Sequence, residues 1–324
     1  MCTSISYKRN DFYFGRNLDV EFSFNEKVVI TPSNYYFKLS NGQDFNSQYA
    51  LIGIAAVVGS YPLYYEAVNE KGLAIAGLNF PKNAYYLEPK ENKHNIAPFE
   101  FVPWLLGSVT SVKEARELLK DLNLTNIRFE PNMPLSPLHW MISDKEESII
   151  VEPLEEGVKV YDNPYDVLTN NPPFQYHLWN MHNYINLSPE NGTNEFSEKY
   201  NLSNYGVGMG SIGLPGDTSS ASRFVRAAFN LTNSNNEDKE ELNVAQFFHV
   251  LDSVAMLKGS TITDDDKNDI TLYSCCINAS KGIYYYKTYD NNRINAISLN
   301  EHNKHAKEPT IYPLNLKQDI NYLN

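Results

Sequence analysis

Cys2 directly follows the first methionine, and this placement brings two reactive groups onto one residue. Cys2 is small enough for an aminopeptidase to remove Met1, after which the residue carries a thiol and a free α-amine. The ordinary pKa of a thiol is about 8.5 and that of an α-amine is about 7.7–8.0, so both groups titrate near neutrality. The amine, or a water that it holds, can accept the thiol proton and so activate the sulfur as a nucleophile. Taken alone, a cysteine at position two is more often just a small residue near the start of a chain.

Five polar side chains at the ends of apolar segments are candidates to complete a site around this cysteine. An arginine beside a thiol favours the thiolate, and an aspartate can orient an ammonium group. Aspartate and asparagine at strand ends are also ordinary turn residues, so each position alone carries little weight. Together with Cys2 they are consistent with a site that cleaves an amide. The five are Arg16, Asp19, Asn79, Asn170 and Arg223.

Short apolar or alternating segments predict the strands that must position these groups. Residues 2–7 and 13–17 form a predicted hairpin, and residues 27–31 and 35–39 form a second predicted pair. Residues 167–172 are predicted to be a strand end that runs into a polar turn. The other predicted strands are residues 50–58, 73–80, 138–144, 148–153, 157–161, 270–277, 283–289 and 294–299.

A first helical region lies between the strands. Residues 98–106 are apolar and aromatic. Ser111 and Glu114 form the pattern of a capping box, which predicts a helix that begins there. The apolar face of this helix is predicted to extend to Leu122.

A second helical region follows a long polar segment. Residues 185–219 are rich in Asn, Ser and Gly, which predicts a surface loop. Residues 220–230 are predicted to be helical. A further helix is predicted to be capped by Asn243 and stopped by Gly259.

The order of the elements is strands, helices, strands, helices and strands. Runs of like elements favour an α+β fold of packed antiparallel sheets flanked by helices. Because neither an internal repeat nor a linker divides the chain, residues 1–324 are predicted to form a single domain.

The overall charge and the cysteine usage limit the partners and the compartment. The net charge of −12 disfavours nucleic acid, since phosphate binding needs a basic surface. No apolar segment approaches the roughly 20 residues that span a bilayer, so no membrane association is predicted. The other two cysteines, Cys275 and Cys276, are adjacent in a predicted strand and are not an ordinary disulfide framework. Reduced thiols and a cytoplasmic location are therefore expected.

Two motifs look like ligand-binding loops but lack the required context. Residues 208–213 fit a dinucleotide-binding pattern, yet they do not stand between a strand and a helix. Residues 264–269 begin like a calcium loop, but Asp269 occupies the position of the required glycine, which favours a solvated acidic turn. His139 and His249 lie in apolar elements and are interpreted as core residues. We therefore expect no metal and no cofactor.

Several blocks of the sequence occur in an order that is typical of one known family. The blocks are residues 1–3, 14–19, 69–73, 76–80, 138–140, 167–172, 213–217, 222–224 and 281–289. On these blocks the chain resembles the choloylglycine hydrolases, also called conjugated bile acid hydrolases or bile salt hydrolases. Their superfamily also contains the penicillin V acylases, and the resemblance extends essentially from end to end.

The resemblance implies the fold and the main catalytic roles. It implies an αββα sandwich of the N-terminal nucleophile hydrolase type. It implies that Met1 is removed and that Cys2 is the nucleophile, with its own amine as the base. Arg16 and Asp19 match the family residues that tune and orient that pair, and Arg223 matches the distal arginine of the charge network.

The resemblance also implies which groups hold the oxyanion. Asn79 and Asn170 match the family positions that do so, with Asn170 favoured over Asn171 because it directly follows Thr169. Penicillin acylases of this superfamily often carry an aromatic residue at the position of Asn79. The asparagine therefore favours bile salts.

The implied activity is hydrolysis of the amide bond of glycine- or taurine-conjugated bile salts. One alternative is a penicillin V acylase or another N-acyl amidase, and an alternative of another class is a non-catalytic steroid-binding protein on the same fold. The resemblance further implies a homotetramer, with residues 185–219 as a candidate contact. Residues 132–136 and an apolar set are predicted to form the walls of the substrate pocket, although each is equally suited to packing between sheets. The set is Val20, Phe22, Phe24, Tyr65 and Ala67.

Overall fold

Two large antiparallel sheets contain most of the strands in the computed structural model, which describes residues 1–324. The strands, in chain order, are β1 Cys2–Lys8, β2 Phe12–Val20, β3 Lys27–Thr31, β4 Tyr36–Lys38, β5 Asp44–Asn46, β6 Leu51–Val58, β7 Tyr61–Asn69, β8 Ala74–Asn79, β9 His94–Ile96, β10 Leu122–Leu124, β11 Leu138–Ser143, β12 Ser148–Leu154, β13 Gly157–Asp162, β14 Val167–Leu168, β15 Ile270–Asn278, β16 Ile283–Thr288, β17 Asn291–Ser298 and β18 Thr310–Pro313.

The register of the first sheet brings distant parts of the chain to one edge. This sheet has six strands in the order β14-β1-β2-β15-β16-β17, and the second has eight in the order β13-β12-β11-β8-β7-β6-β3-β18. In the hairpin of β1 and β2, Cys2 lies opposite Leu18. Strand β2 also pairs with β15, which places Asp19 opposite Thr271. The beginning of β1, the end of β2 and the beginning of β15 are therefore neighbours.

Six helices flank the sheets, and none of them is both long and apolar enough to cross a bilayer. Between residues 185 and 219 the only helix is a three-residue 3-10 turn, Met209–Ser211, as expected for the predicted loop. A second 3-10 helix covers Met181–Tyr184. The α-helices are α1 Phe101–Ser108, α2 Val112–Leu119, α3 Phe174–Asn180, α4 Ser220–Asn233, α5 Glu240–Asp252 and α6 Glu301–Lys304.

Apolar packing arranges these elements as helix, sheet, sheet and helix. A shared core cluster includes Phe14 of the first sheet and Leu78 of the second, so the sheets pack against each other. Helix α5 packs on the first sheet, where the ring of Phe247 lies 6.4 Å from that of Tyr7. Helices α1 and α2 belong to a second cluster on the other side of the eight-stranded sheet. The predicted α+β sandwich of two antiparallel sheets is confirmed.

Most predicted strands are confirmed, but one was paired wrongly, and β5, β7, β9, β10 and β18 were not foreseen. Residues 35–39 contain β4, which pairs with β5 and not with β3 as predicted. Strand β3 instead lies between β6 and β18. Strand β7 was missed because Pro62 and Glu66 interrupt its apolar pattern, and a proline or a charge usually argues against a central strand.

Helix α2 begins as predicted and ends earlier. The Ser111 hydroxyl accepts a hydrogen bond from the Glu114 N–H at 3.2 Å. The Glu114 carboxylate, however, accepts from the Thr110 N–H at 2.7 Å, so the reciprocal half of a capping box is shifted by one residue. Because α2 ends at Leu119, Leu122 belongs to β10 and not to the helical face.

The predicted boundaries of helix α5 were wrong at both ends. Helix α5 begins at Glu240, so Asn243 is not its cap. The Asn243 side chain instead accepts from the Glu237 N–H at 3.0 Å and donates to the Glu237 carbonyl at 2.7 Å, which ties the preceding turn to the helix. The helix ends at Asp252, well before Gly259.

We predict that Gly15→Ala destabilises the protein by about 2 kcal/mol or more, because the first sheet leaves no room for a side chain there. A Cβ at Gly15 would lie 2.0 Å from the carbonyl oxygen of Cys275 on β15. Urea unfolding measures the change. The control is Gly216→Ala, where a Cβ meets no atom within 4 Å, and its effect should stay within about 0.5 kcal/mol. Equal stability of the two variants would contradict the close approach of β2 and β15.

Candidate active site

Cys2 begins β1 in a buried position where its backbone is held by two other elements. Its N–H donates to Oδ1 of Asn170 at 2.8 Å, just beyond the end of β14. Its carbonyl accepts from Nη1 of Arg223 on α4 at 2.5 Å. Nη2 of Arg223 also donates to Oδ1 of Asn170, at 2.7 Å, and closes a triangle among the three residues.

Asn170 therefore links the nucleophile candidate to two further predicted residues. Its Nδ2 donates to the backbone carbonyl of Asn79 at 2.7 Å. A side-chain amide has two N–H groups, so one remains for another acceptor. The Asn79 side chain is exposed at the end of β8 and forms no hydrogen bond within the chain. The predicted pair at positions 79 and 170 thus lies together beside Cys2.

The ammonium of Met1, the residue before Cys2, contacts one residue on β2 and one directly before β15. The nitrogen donates to the carbonyl of Asp19 and, at 3.0 Å, to Oδ2 of Asp269. Asp269 is buried, so it is not the solvated turn residue that its sequence context indicated. Its position directly before an apolar strand was the only signal that could have identified it.

The carboxylate of Asp19 is buried next to these groups and only partly satisfied. Oδ1 accepts from the hydroxyl of Thr271 at 2.6 Å, and Oδ2 has no hydrogen-bond partner. Burial raises the pKa of Asp19, while the charges of Arg223 and the N-terminal ammonium oppose that rise. The unpaired oxygen leaves Asp19 able to hold one more donor.

Arg16 lies on β2 with its guanidinium fully buried between the sheets. Nη1 donates to the carbonyl of Gly77 at 2.5 Å and, more distantly, to that of Tyr65 at 3.5 Å. Nη2 has no hydrogen-bond partner. Burial alone lowers the pKa of Arg16, but the acidic groups around it, among them the Glu66 carboxylate, outweigh burial and leave the pKa raised. Arg16 is therefore a permanent cation close to Cys2.

Glu66 was not predicted as a site residue, and it provides a buried counter-charge for Arg16. Oε2 of Glu66 lies 3.8 Å from Nε of Arg16. The hydroxyls of Tyr273 and Tyr284 donate to the Glu66 carboxylate at 2.7 Å and 2.5 Å. Burial raises the pKa of Glu66, and Arg16 together with the two hydroxyls opposes this. Glu66 lies on β7, the strand that the sequence pattern concealed.

Arg223 is likewise fully buried, and its charge faces the same site. Burial lowers the pKa of Arg223, and the nearby carboxylate of Asp19 offsets this only in part. Besides Asn170 and the Cys2 carbonyl, Arg223 donates to the Thr3 hydroxyl at 2.7 Å and to the Thr218 carbonyl at 3.0 Å. Position 223 therefore joins the network that the sequence predicted.

An apolar cavity has in its lining Gly77 and Tyr65, the two residues whose backbone carbonyls accept hydrogen bonds from Arg16. The empty space measures about 930 Å³ including its open mouth. Eleven of its fifteen lining residues are hydrophobic, and residues 133–136 form one wall. Of the residues predicted for the substrate pocket, Phe24 and Tyr65 line this cavity.

Three of the predicted wall residues lie elsewhere. Val20 packs against the core between the sheets, and Ala67 is completely buried in the core beneath α1 and α2. Phe22 is exposed and contacts Phe24, with 4.7 Å between the ring centroids. A β-bulge in β7 leaves Tyr65 without a cross-strand partner, so Tyr65 and Ala67 face opposite sides of the sheet.

Comparisons with known proteins agree with a site that cleaves an amide bond. A family model described as linear amide C–N hydrolases, choloylglycine hydrolase family, matches residues 2–312. A bile salt hydrolase/transferase of Lactiplantibacillus plantarum is 52% identical over 314 residues, which covers 97% of each chain. The crystal structure of a mutant conjugated bile acid hydrolase from Clostridium perfringens is 40% identical, with a TM-score of 0.93 over 100% of both chains.

A more distant structure has the same fold. Penicillin V acylase from Agrobacterium tumefaciens is 18% identical and has a TM-score of 0.77, over 96% of this chain and 90% of that one. The predicted family and the predicted class of enzyme are both confirmed. With a family model over nearly the whole length and a full-length relative above half identity, this chain belongs to the choloylglycine hydrolase family of linear amide C–N hydrolases.

Proposed function

We propose that this protein hydrolyses the amide bond of glycine- or taurine-conjugated bile salts, with Cys2 as the nucleophile after removal of Met1. The observation that carries the proposal is the position of the Cys2 nitrogen, 2.8 Å from Oδ1 of Asn170 and next to buried Arg223 and Asp19. The names of the relatives support the substrate class, because the full-length matches are called bile salt or conjugated bile acid hydrolases.

Removal of Met1 turns the Cys2 nitrogen into an amine that can act as a base. While Met1 is present, the Cys2 nitrogen is an amide and has no available lone pair. Once it is an amine, this nitrogen can accept the thiol proton. Oδ1 of Asn170 and the unpaired Oδ2 of Asp19 are acceptors that suit the resulting ammonium.

The thiolate of Cys2 then attacks the carbonyl carbon of the amide. The permanent charge of Arg16 favours the thiolate form, because an opposite charge close to a group favours its charged state. A bond forms between sulfur and carbon, and the carbonyl electrons move onto the oxygen.

The oxyanion of this tetrahedral intermediate needs donors that are already in place. The free N–H of the Asn170 side chain and a donor at position 79 are suited to this role, since the two residues are joined by the 2.7 Å hydrogen bond described above. Loss of one such donor typically lowers kcat by about 10²–10³.

Collapse of the intermediate breaks the carbon–nitrogen bond. The ammonium of Cys2 gives its proton to the departing glycine or taurine nitrogen, which leaves a thioester of the bile acid on Cys2. Water then attacks the thioester and passes its proton to the Cys2 amine. The thiolate leaves, and the free bile acid is released.

The cavity supports an apolar acyl group. A steroid requires a broad apolar pocket with few polar anchors, and the lining of this cavity is mainly hydrophobic. Penicillin V acylase activity is the alternative for the same catalytic residues, because the phenoxymethyl group of penicillin V is also apolar.

We further propose a homotetramer in the cytoplasm. Large apolar side chains are exposed within and just before residues 185–219, among them Phe196 at 80%, Tyr205 at 88% and Val207 at 97%. Such a concentration of exposed apolar surface is typical of a subunit contact. The three buried, unpaired cysteines are in keeping with a reducing compartment.

We predict that purified protein lacking Met1 releases glycine or taurine from glycocholate or taurocholate and that Cys2→Ala abolishes this release. The alanine variant keeps the α-amine and loses only the sulfur, so it isolates the nucleophile. Released amino acid is measured directly, with phenoxymethylpenicillin as the competing substrate. Faster turnover of the penicillin, or undiminished release by Cys2→Ala, would contradict the proposal.

We predict that Arg16→Gln slows alkylation of Cys2 by iodoacetamide at neutral pH by about tenfold or more, because the thiolate loses its cation. Arg16→Lys keeps the positive charge, and its rate of Cys2 alkylation should lie between that of Arg16→Gln and that of the wild-type protein. Arg293→Gln is the matched control, since its exposed side chain pairs only with Asp319. An alkylation rate in Arg16→Gln that equals the control would show that Arg16 does not set the thiolate population.

A further inference from the structure

Two buried histidines hold the backbone on either side of the Asn170 α-carbon. Nε2 of His139 lies 2.9 Å from the carbonyl oxygen of Thr169. Nε2 of His177 lies 3.0 Å from the carbonyl oxygen of Asn170 itself. Both side chains are completely buried, and neither has a role in the chemistry described above.

The backbone at Asn170 depends on side chains because the sheet does not extend to it. Strand β14 contains only two residues and ends at Leu168. Beyond it, the Asn170 N–H donates to the hydroxyl of Ser220 at 2.9 Å, while the two imidazoles provide donors for the carbonyls. The histidines thus replace the inter-strand hydrogen bonds that hold backbone in a sheet.

Each imidazole is stacked on a phenylalanine that adjoins another residue of the site. The ring of His139 lies 4.2 Å from that of Phe80, at an interplanar angle of 5°, and Phe80 follows Asn79. The ring of His177 lies 4.8 Å from that of Phe224, at 20°, and Phe224 follows Arg223. The planes of both rings are therefore fixed by the same segments that carry the neighbouring site residues.

One buried carboxylate connects the two histidines. Oε1 of Glu152 lies 3.1 Å from Nδ1 of His139 and accepts from the Phe174 N–H at 2.9 Å. Phe174 begins helix α3, which carries His177. Glu152 therefore sets the position of His139 directly and that of His177 through the beginning of its helix.

The proton positions follow from the acceptors that the rings face. A neutral imidazole has one N–H, whereas His139 faces a carboxylate at Nδ1 and a carbonyl at Nε2. An N–H on Nε2 satisfies the Thr169 carbonyl, and the Glu152 carboxylate lies on the Nδ1 side of the same ring. Burial lowers the pKa of His177 to about 4, so its ring is neutral at physiological pH, with its proton on Nε2 toward Asn170.

We propose that His139 and His177 are positioning residues that fix the Thr169–Asn170 backbone so that the free side-chain N–H of Asn170 points at the developing oxyanion. This inference rests on the proposed function, in which Asn170 is an oxyanion donor. A misplacement of about 1 Å at such a donor can reduce the rate by about 10²-fold. The effect appears in kcat because the oxyanion exists in the transition state and not in the bound substrate.

Paired substitutions test the proposal, because Gln and Asn each imitate one of the two ring nitrogens. The amide nitrogen of Gln can reach the place of Nε2, whereas the amide of Asn reaches only the place of Nδ1. We expect His139→Asn and His177→Asn to lower kcat by about 10–10²-fold with little change in KM. We expect His139→Gln and His177→Gln to restore most of kcat.

Alkylation of Cys2 by iodoacetamide separates positioning from general damage. This reaction uses the thiolate and forms no oxyanion, so its rate should fall by a much smaller factor than kcat in the Asn variants and stay near the wild-type rate in the Gln variants. Wild-type kcat in both Asn variants would overturn the proposal, and so would equal losses in alkylation and hydrolysis. Because the two histidines lie on different elements, His177→Asn and His177→Gln test the proposal by themselves if His139→Asn fails to fold.

Hydrogen exchange supplies a readout that does not depend on turnover. The backbone amide of Asn170 should lose protection in the Asn variants and keep it in the Gln variants. Unchanged protection in both Asn variants would contradict the proposed clamp. If the wild-type protein hydrolysed no bile salt, the proposed function would fail, and this comparison would still decide whether the histidines hold the segment.

Discussion

The hydrogen bond from the Cys2 nitrogen to Oδ1 of Asn170 is the contact on which the rest of the site depends. It joins the beginning of β1 to the segment after β14, two parts of the chain that are 168 residues apart. Arg223 binds the same oxygen and the Cys2 carbonyl, so α4 is fixed relative to the nucleophile candidate. Asn170 has its Oδ1 committed to these donors, and this directs its Nδ2 toward the carbonyl of Asn79.

Burial gives this arrangement its electrostatic character. Arg16, Asp19, Glu66 and Arg223 are all at 0% exposure, although isolated charges are costly to bury. They are tolerated because each faces an opposite charge or several hydrogen-bonding groups, and because the tyrosine hydroxyls of β15 and β16 satisfy Glu66. In such surroundings a fixed cation acts on a nearby thiol far more strongly than it would in water. The sheets therefore provide both the rigidity and the low dielectric that the chemistry requires.

Local patterns in the sequence predicted part of the site, and the family resemblance added the roles of Asn79, Asn170 and Arg223 on distant segments. Arg16 and Asp19 share β2, and the alternation of β1 and β2 was sufficient to predict the hairpin that brings them to Cys2. Asp269, Glu66 and His177 were missed because their roles arise from contacts with distant residues, as in the approach of Asp269 to the Met1 ammonium across 268 positions. His139 was expected to be a satisfied core residue, and it is buried, but its partners Glu152 and Thr169 could not be identified without the sheet register. The bulge in β7 likewise has no local signal, and it moves Ala67 away from the cavity wall that was predicted for it.

The central claim is that the active chain begins with Cys2, so that sulfur and a free amine lie on one residue between Asp19 and Asn170. The mass of the intact protein, measured on a preparation whose hydrolytic activity has been determined, tests this claim most directly. Active protein is expected to have lost Met1. A fully active preparation in which every chain retains Met1 would contradict it, because an amide nitrogen cannot accept the thiol proton.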